Sequence, residues 1–178
     1  MISYNKSKII LKKSIIKLGD EFINTSRCLN RVTSKNIYVN SFYPSGNNAA
    51  FDGYAVKSID TSKLNKKKFL KFKIIGSIAA GNKPLNKKIK KFQTVEIMTG
   101  ALIPKSFDTI IPIEQTVFYP NKKDAKYIII NKKISKFNHV RFKGSDYKKG
   151  DLLISQGTIL KSNHILALKT LGIKKIKV

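Results

Sequence analysis

The sequence predicts an α+β protein that is predominantly β, and two patterns of apolar residues predict it. Near the N-terminus apolar residues recur at helical spacing, at Leu11, Ile15, Leu18 and Phe22. This spacing predicts one amphipathic helix that begins at about residue 6 and ends near Gly19. From about residue 69 the apolar residues instead form short segments separated by Gly, Pro and Asn, which is typical of strands and turns.

The individual strands follow from these short segments. In the middle of the chain they lie at residues 69–75, 95–98, 110–113 and 127–130. Near the C-terminus a turn at Gly150-Asp151 precedes a strand at residues 152–154. A short helix follows, which Ser162 could cap and Gly172 could close, and residues 173–178 alternate like a strand.

Composition excludes several classes of protein. The 178 residues are 42% hydrophobic, which is too high for intrinsic disorder, and no apolar run approaches the ~18 residues of a membrane span. Cys28 is the single cysteine, and its spacing to His139 and His164 is not that of a zinc site. No secretory signal is visible near the N-terminus, so we expect a cytoplasmic protein without a membrane partner.

The charge is strongly basic, with 36 Lys and Arg against 10 Asp and Glu and a formal net charge of +26. Only three of the basic residues are arginines, and the lysines are scattered along the chain. Specific nucleic-acid binders favour arginine and aromatic residues, so we expect no specific nucleic-acid partner. A non-enzymatic module that binds a polyanion remains an alternative, and such binding would fall steeply with salt.

The scarce acidic residues are the candidates for chemistry, because the common catalytic and nucleotide-binding signatures are missing. Asp52-Gly53 is also the commonest signal of a hairpin turn, and Gly150-Asp151 could be a turn alone. Thr99-Gly100 follows a predicted strand, where a loop could present a hydroxyl and a backbone N–H to an anion. Taken singly, each of these motifs favours turn formation over function.

Taken together, the motifs resemble the MoeA family, which includes the gephyrin E domain and comprises the molybdopterin molybdenumtransferases. The resemblance covers nearly the whole chain and rests on segments in the family's order and spacing. These segments are 28–32 (CLNRV), 51–56 (FDGYAV), 76–81 (GSIAAG), 97–101 (IMTGA) with Pro104, Asp108 and Glu114, 141–146 (RFKGSD), 150–151 and 171–173.

The resemblance implies a function and a set of site residues. Family members transfer molybdate to adenylylated molybdopterin and release AMP, with Mg²⁺ assisting. By motif, the catalytic residues would be Asp52, Thr99 and Asp146, and the two aspartates would hold the metal. The resemblance also implies substrate contacts by the residues beside them, namely Gly53, Tyr54, Gly100 and Ala101.

Five positions depart from the family pattern. Phe51 stands where methionine is usual, and Ala49 where serine is frequent. Glu96 replaces a basic residue before the I-M-T-G-A motif, which reverses a charge, and Ser106-Phe107 replace Gly-Ala before Asp108. The three catalytic candidates are retained.

The resemblance also implies a domain organisation. Residues 1–41 and 140–178 would form an elongated, discontinuous lobe for linkage and dimerisation, and residues 42–139 an inserted β-barrel-like lobe. Family members continue into a molybdopterin-binding domain and a small C-terminal β domain, which this sequence does not include. We therefore expect a homodimer that is inactive without a molybdopterin-binding domain, supplied by a longer polypeptide or a separate chain. A catalytically dead dimerisation scaffold is the alternative.

Overall fold

The computed structural model describes residues 1–16, 18–64, 68–83, 85 and 87–178, and it confirms an α+β chain that is mostly β. Its helices and strands, in chain order, are α1 (Tyr4–Lys13), β1 (Phe22–Asn24), β2 (Ile37–Tyr38), β3 (Asn48–Ala49), β4 (Gly53–Val56), β5 (Leu70–Ile78), β6 (Gln93–Ile97), β7 (Thr109–Pro112), β8 (Val117–Tyr119), β9 (Tyr127–Ile130), β10 (Val140–Arg141), β11 (Leu152–Ile154), α2 (Ser162–Thr170) and β12 (Lys175–Lys177). Single-turn 3-10 helices lie at Thr25–Arg27, Ser58–Thr61 and Ile113–Gln115. No helix in these described ranges has the length and apolar character needed to cross a bilayer.

The chain divides into two compact units, the first made of Met1–Asn40 with Asp151–Val178 and the second of Ser41–Gly150. The inserted lobe predicted from the sequence ends at residue 139, whereas the second unit in the structure ends at Gly150. Residues 140–150 belong to the second unit because β10 pairs antiparallel with β3. The N–H of Tyr147 also donates to the carbonyl of Tyr43, at 3.1 Å, within the same unit.

The second unit is built on a curled six-stranded sheet in the order β7-β4-β6-β5-β9-β8. Neighbouring strands are antiparallel except β5 and β6, which are parallel. Strand β4 lies between β6 and β7, so that Gly53 is opposite both Ile97 and Pro112. The N-terminal end of β4 therefore lies beside the C-terminal end of β6.

The centre of this sheet is buried on both faces. All four residues of β4 are buried, and successive side chains of a strand point to opposite faces. Ala55 accordingly packs in one apolar cluster with Val95, whereas Tyr54 packs in another with Phe72. The loops at the ends of β4 and β6 thus rest on a sheet that is packed from both sides.

The first unit has a smaller core, in which β1 pairs with β12 and β2 pairs with β11. Helix α2 buries Leu168 against this core. Lys161 precedes the helix as its N-cap, so Ser162 is the first helical residue and not the cap. Gly172 follows the helix with a φ of +68°, in the place where the sequence predicts its end.

The prediction that the N-terminal helix ends near Gly19 was wrong, because the helix is shorter and its last residue is Lys13. Helix α1 ends there, and Ser14 donates both its N–H and its hydroxyl to the carbonyl of Ile10. Phe22 instead begins β1, opposite Lys177. Pairing with a strand some 150 residues away in the sequence therefore overrides the local helical spacing.

Candidate functional site

Asp52 and Thr99, from two motifs that are 47 residues apart in the sequence, meet at one end of the central sheet. Asp52 immediately precedes β4, and Thr99 follows β6, its antiparallel neighbour. The backbone N–H and the hydroxyl of Thr99 both donate to Oδ1 of Asp52, each at 2.6 Å. The antiparallel pairing of β4 with β6 is what brings these two residues together.

Thr99 lowers the pKa of Asp52. Its hydroxyl, and then its backbone N–H, hold the pKa of the Asp52 carboxyl below the ordinary value, and partial desolvation opposes them weakly. Asp52 is therefore a carboxylate at neutral pH. Both hydrogen bonds end on Oδ1, and no donor from the described part of the chain contacts Oδ2. One oxygen of an exposed carboxylate is thus left for a ligand.

The turn after Thr99 is held by β3. Gly100 has a φ of +82°, and its N–H donates to the carbonyl of Ala49 at 2.9 Å. The side-chain amide of Asn48 donates to the carbonyl of Gly100 at 2.8 Å. Asn48 Oδ1 is buried and contacts no donor among the described residues. Asn48 was not among the predicted site residues, although it lies just before the F-D-G-Y motif.

Asp146, the third catalytic candidate, is linked to this turn through intermediate residues. It forms an ion pair with Arg141, and its Oδ1 accepts a hydrogen bond from the hydroxyl of Ser145. Arg141 lies on β10 directly opposite Asn48 on β3. A series of contacts thus runs from Asp146 through Arg141, Asn48 and Gly100 to the Asp52–Thr99 pair.

Three of the predicted substrate-binding residues lie in the core beneath the turns. A Cβ on Gly53 would lie 2.0 Å from the carbonyl oxygen of Ile111, so only glycine fits there. Tyr54 is 4% exposed and meets Phe118 edge to face, and burial raises the pKa of its phenol, with the Glu96 carboxylate adding to the effect. Ala101 is fully buried. Of the predicted substrate contacts, Gly100 alone reaches the surface.

The ring of Phe51, which departs from the family pattern, is 49% exposed beside Asp52. It meets the imidazole of His139 edge to face, with ring centroids 4.9 Å apart. The backbone N–H of Ala50 donates to the carbonyl of His139, at 3.0 Å. The aromatic side chain therefore packs over the 137–140 segment at the edge of the site.

The donor set for a metal is sparse. In residues 1–16, 18–64, 68–83, 85 and 87–178 there is no group of three or more His, Cys, Asp and Glu side chains that could hold a metal ion. Asp52 offers one carboxylate oxygen, whereas both oxygens of Asp146 are engaged by Arg141 and Ser145. Asp52 is thus better suited than Asp146 to bind a cation.

Comparison with known proteins identifies relatives over nearly all of the chain. The family described as the MoeA N-terminal region (domain I and II) matches residues 2–172. A molybdopterin molybdenumtransferase of Staphylococcus aureus (strain Mu50) is 29% identical over 185 residues, covering 100% of this chain and 43% of the relative. A molybdopterin molybdenumtransferase of Staphylococcus epidermidis (strain ATCC 35984) is 27% identical over 168 residues, covering 94% and 39%.

Solved structures give the same result. A molybdopterin biosynthesis MoeA protein from Pyrococcus horikoshii superposes with a TM-score of 0.86 at 30% identity, covering 99% of this chain and 44% of that one. A second structure of MoeA from this organism gives a TM-score of 0.83 at 26% identity, covering 100% and 46%. The chain therefore spans less than half the length of these relatives.

Proposed function

The chain belongs to the MoeA family, and on that premise we propose that it is the N-terminal region of a molybdopterin molybdenumtransferase. In this role it takes part in transferring molybdate to adenylylated molybdopterin with release of AMP, a step of molybdenum cofactor biosynthesis. The single observation that carries the proposal is the contact of Asp52 with Thr99. Two motifs that are distant in sequence combine there to present an ionised carboxylate at one end of the central sheet.

Asp52 is the catalytic candidate, and Thr99 holds it in place. Because Thr99 donates twice to Oδ1, the carboxylate is fixed in orientation and stays ionised while Oδ2 remains available. An ionised carboxylate can accept a proton from an attacking hydroxyl, or it can hold a cation. Asn48 and Arg141 act as positioning residues, because they contact the Gly100 turn and Asp146 respectively.

Mg²⁺ fits this donor set through Asp52. Protein sites for Mg²⁺ commonly use one or two carboxylates, with waters and substrate phosphates completing the coordination. When bound, the ion would offset the repulsion between Asp52 and the anionic oxygens of the substrate. The Arg141 guanidinium already neutralises Asp146, which favours a positioning role for that carboxylate over metal binding.

The partners we propose are a second copy of the chain and a molybdopterin-binding domain. Helix α1 buries none of its own residues, and Ile9, Ile10 and Leu11 are 54%, 45% and 70% exposed. Apolar side chains left uncovered on one element favour an interface with another subunit. Sedimentation should then show a dimer that Leu11→Lys weakens.

The lone Cys28 fits the reducing cytoplasm, where we place the protein.

A chimera tests the proposed activity. The chain replaces the matching N-terminal part of the Staphylococcus aureus relative, and the hybrid is expressed in a strain that cannot insert molybdenum. We expect the hybrid to restore the activity of a molybdenum-dependent reporter enzyme. Asp52→Asn should remove that activity, because it removes the ionised carboxylate, and Thr99→Val should reduce it.

Asp124→Asn is the matched control, since Asp124 is an exposed aspartate in a turn of the same unit. It should leave reporter activity unchanged. Restoration that is indifferent to Asp52→Asn would refute the catalytic role and leave a structural one. A well-folded hybrid without activity would favour the dimerisation scaffold.

A further inference from the structure

The second unit contains a cavity of about 820 Å³ that none of Asp52, Thr99 and Asp146 lines. Its lining residues are 46–47, 102–108, 136–137 and 140, together with Leu85 and Lys87. Small-molecule sites in proteins are typically clefts of ~300–1,000 Å³ with mostly apolar walls and a few polar groups. This space, the lysine-rimmed cavity, has the size of such a site.

The walls of the lysine-rimmed cavity are largely apolar. Leu102, Ile103 and Val140 are partly buried along it, and Phe107 is 5% exposed. The ring of Phe137, 44% exposed, adds an aromatic surface at the opening. These side chains would contact a flat or extended apolar group and remove it from water.

The charged groups of the lysine-rimmed cavity give it a positive field. Lys87, Lys105 and Lys136 line it, and none of them forms an ion pair within the described part of the chain. Asp108 is the one carboxylate among the described residues that line it, and it already accepts hydrogen bonds from the N–H and the hydroxyl of Ser58, both at 2.8 Å. The lysines thus face the opening without a carboxylate partner, and an anionic group would complement them.

We propose that the lysine-rimmed cavity binds an amphipathic organic anion, with a planar apolar body and one terminal sulfonate, carboxylate or phosphate group. The body lies against Leu102, Phe107 and Phe137, and the anionic group lies near Lys105 and Lys136. The ammonium of Lys136 lies 4.8 Å from the centroid of the Phe137 ring, so the aromatic and cationic surfaces adjoin. The inference does not rest on the proposed function, because it uses none of the catalytic candidates.

Two fluorescent probes test this site, namely anionic anilinonaphthalene sulfonate and its uncharged analogue phenylnaphthylamine. The folded chain is titrated with each at physiological ionic strength. We expect the anionic probe to saturate with one molecule bound per chain. The double variant Lys105→Ala/Lys136→Ala should weaken its binding by roughly fivefold to tenfold, since two exposed charges are removed. Binding of the uncharged analogue should be nearly unaffected.

The matched control is Lys122→Ala/Lys123→Ala, which removes the same charge from an exposed turn in the same unit. It should leave binding of the anionic probe unchanged, and an equal weakening would overturn the site in favour of general attraction to the lysine surface. Leu102→Trp should block the cavity, and retained binding in that folded variant would also overturn the site. The lysine variants alter exposed side chains, so the outcome does not depend on whether the tryptophan variant folds.

Discussion

Gly53→Ala gives the sharpest test of how the central sheet is packed. The added Cβ would lie 2.0 Å from the carbonyl oxygen of Ile111, 2.8 Å from its carbonyl carbon and 3.0 Å from Cα of Pro112. All three are backbone atoms, so no rotamer change relieves the contact, and β4 and β7 must move apart by more than ~1 Å to reach ordinary van der Waals distance. Overpacking that side chains can absorb lowers the free energy of unfolding by ~1–3 kcal/mol. Because backbone atoms must move here, we expect Gly53→Ala to lower it by about 3–5 kcal/mol.

Unfolding by urea and by heat, followed by circular dichroism, measures this loss. A loss of that much unfolding free energy corresponds to a fall in Tm of about 6–20 °C for a protein of this length. Amide hydrogen exchange should assign the loss to β4 and β7 in the second unit. Gly19→Ala is the control, because a Cβ at Gly19 would contact nothing within 4 Å. Equal stability of the two variants would refute the argument from close backbone approach.

Three further outcomes follow from the structure. Thr99→Val should raise the pKa of Asp52 towards its ordinary value, which the carboxyl carbon shift in NMR measures. Because the pKa of Asp52 is lowered in the folded protein, the stabilisation by this contact is lost as the pH falls through that lowered pKa. An unchanged titration of Asp52 in the variant would contradict the contact. Thr61→Val should destabilise the fold by ~1–3 kcal/mol in urea denaturation, because the buried N–H of Ile134 donates to the Thr61 hydroxyl at 3.0 Å; a neutral substitution would show that water replaces it. Cys28 is fully buried and its thiol pKa is raised by desolvation, so alkylation should be slow until the chain unfolds, and rapid labelling of the native protein would contradict this burial.

Strand segments were predictable from the sequence where the local pattern and the tertiary contacts agree. Residues 127–130 form β9, and residues 152–154 form β11, as the apolar segments indicated. Phe22 shows the opposite case, since its spacing from Leu18 matched a helix while its backbone pairs with β12. Periodicity records only neighbours along the chain, whereas the pairing of β1 with β12 depends on residues at the other end of the sequence.

The candidate site was predictable as a set of motifs, whereas its geometry was not. The sequence pointed to Asp52, Thr99 and Gly100, and the structure places all three at one end of the central sheet. The resemblance also implied Tyr54 as a substrate contact, although all four residues of β4 are buried and the Tyr54 ring packs in the core. Strand β4 is packed on both faces, so a residue in the same motif as an exposed carboxylate need not reach the surface.

The amino-acid sequence by itself determined the family, the predominance of strands and the identity of the exposed carboxylate, because each depends on residue types and their order. Only the tertiary structure decided that Thr99 lowers the pKa of Asp52 and orients its carboxylate, that Asn48 and Arg141 connect Asp146 to the same turn, and that Gly53 is needed for space. These properties arise from antiparallel pairing between segments far apart in the chain. The register of such pairing depends on the apolar patterns of both strands and on the turns between elements, so the pattern of one segment does not determine it.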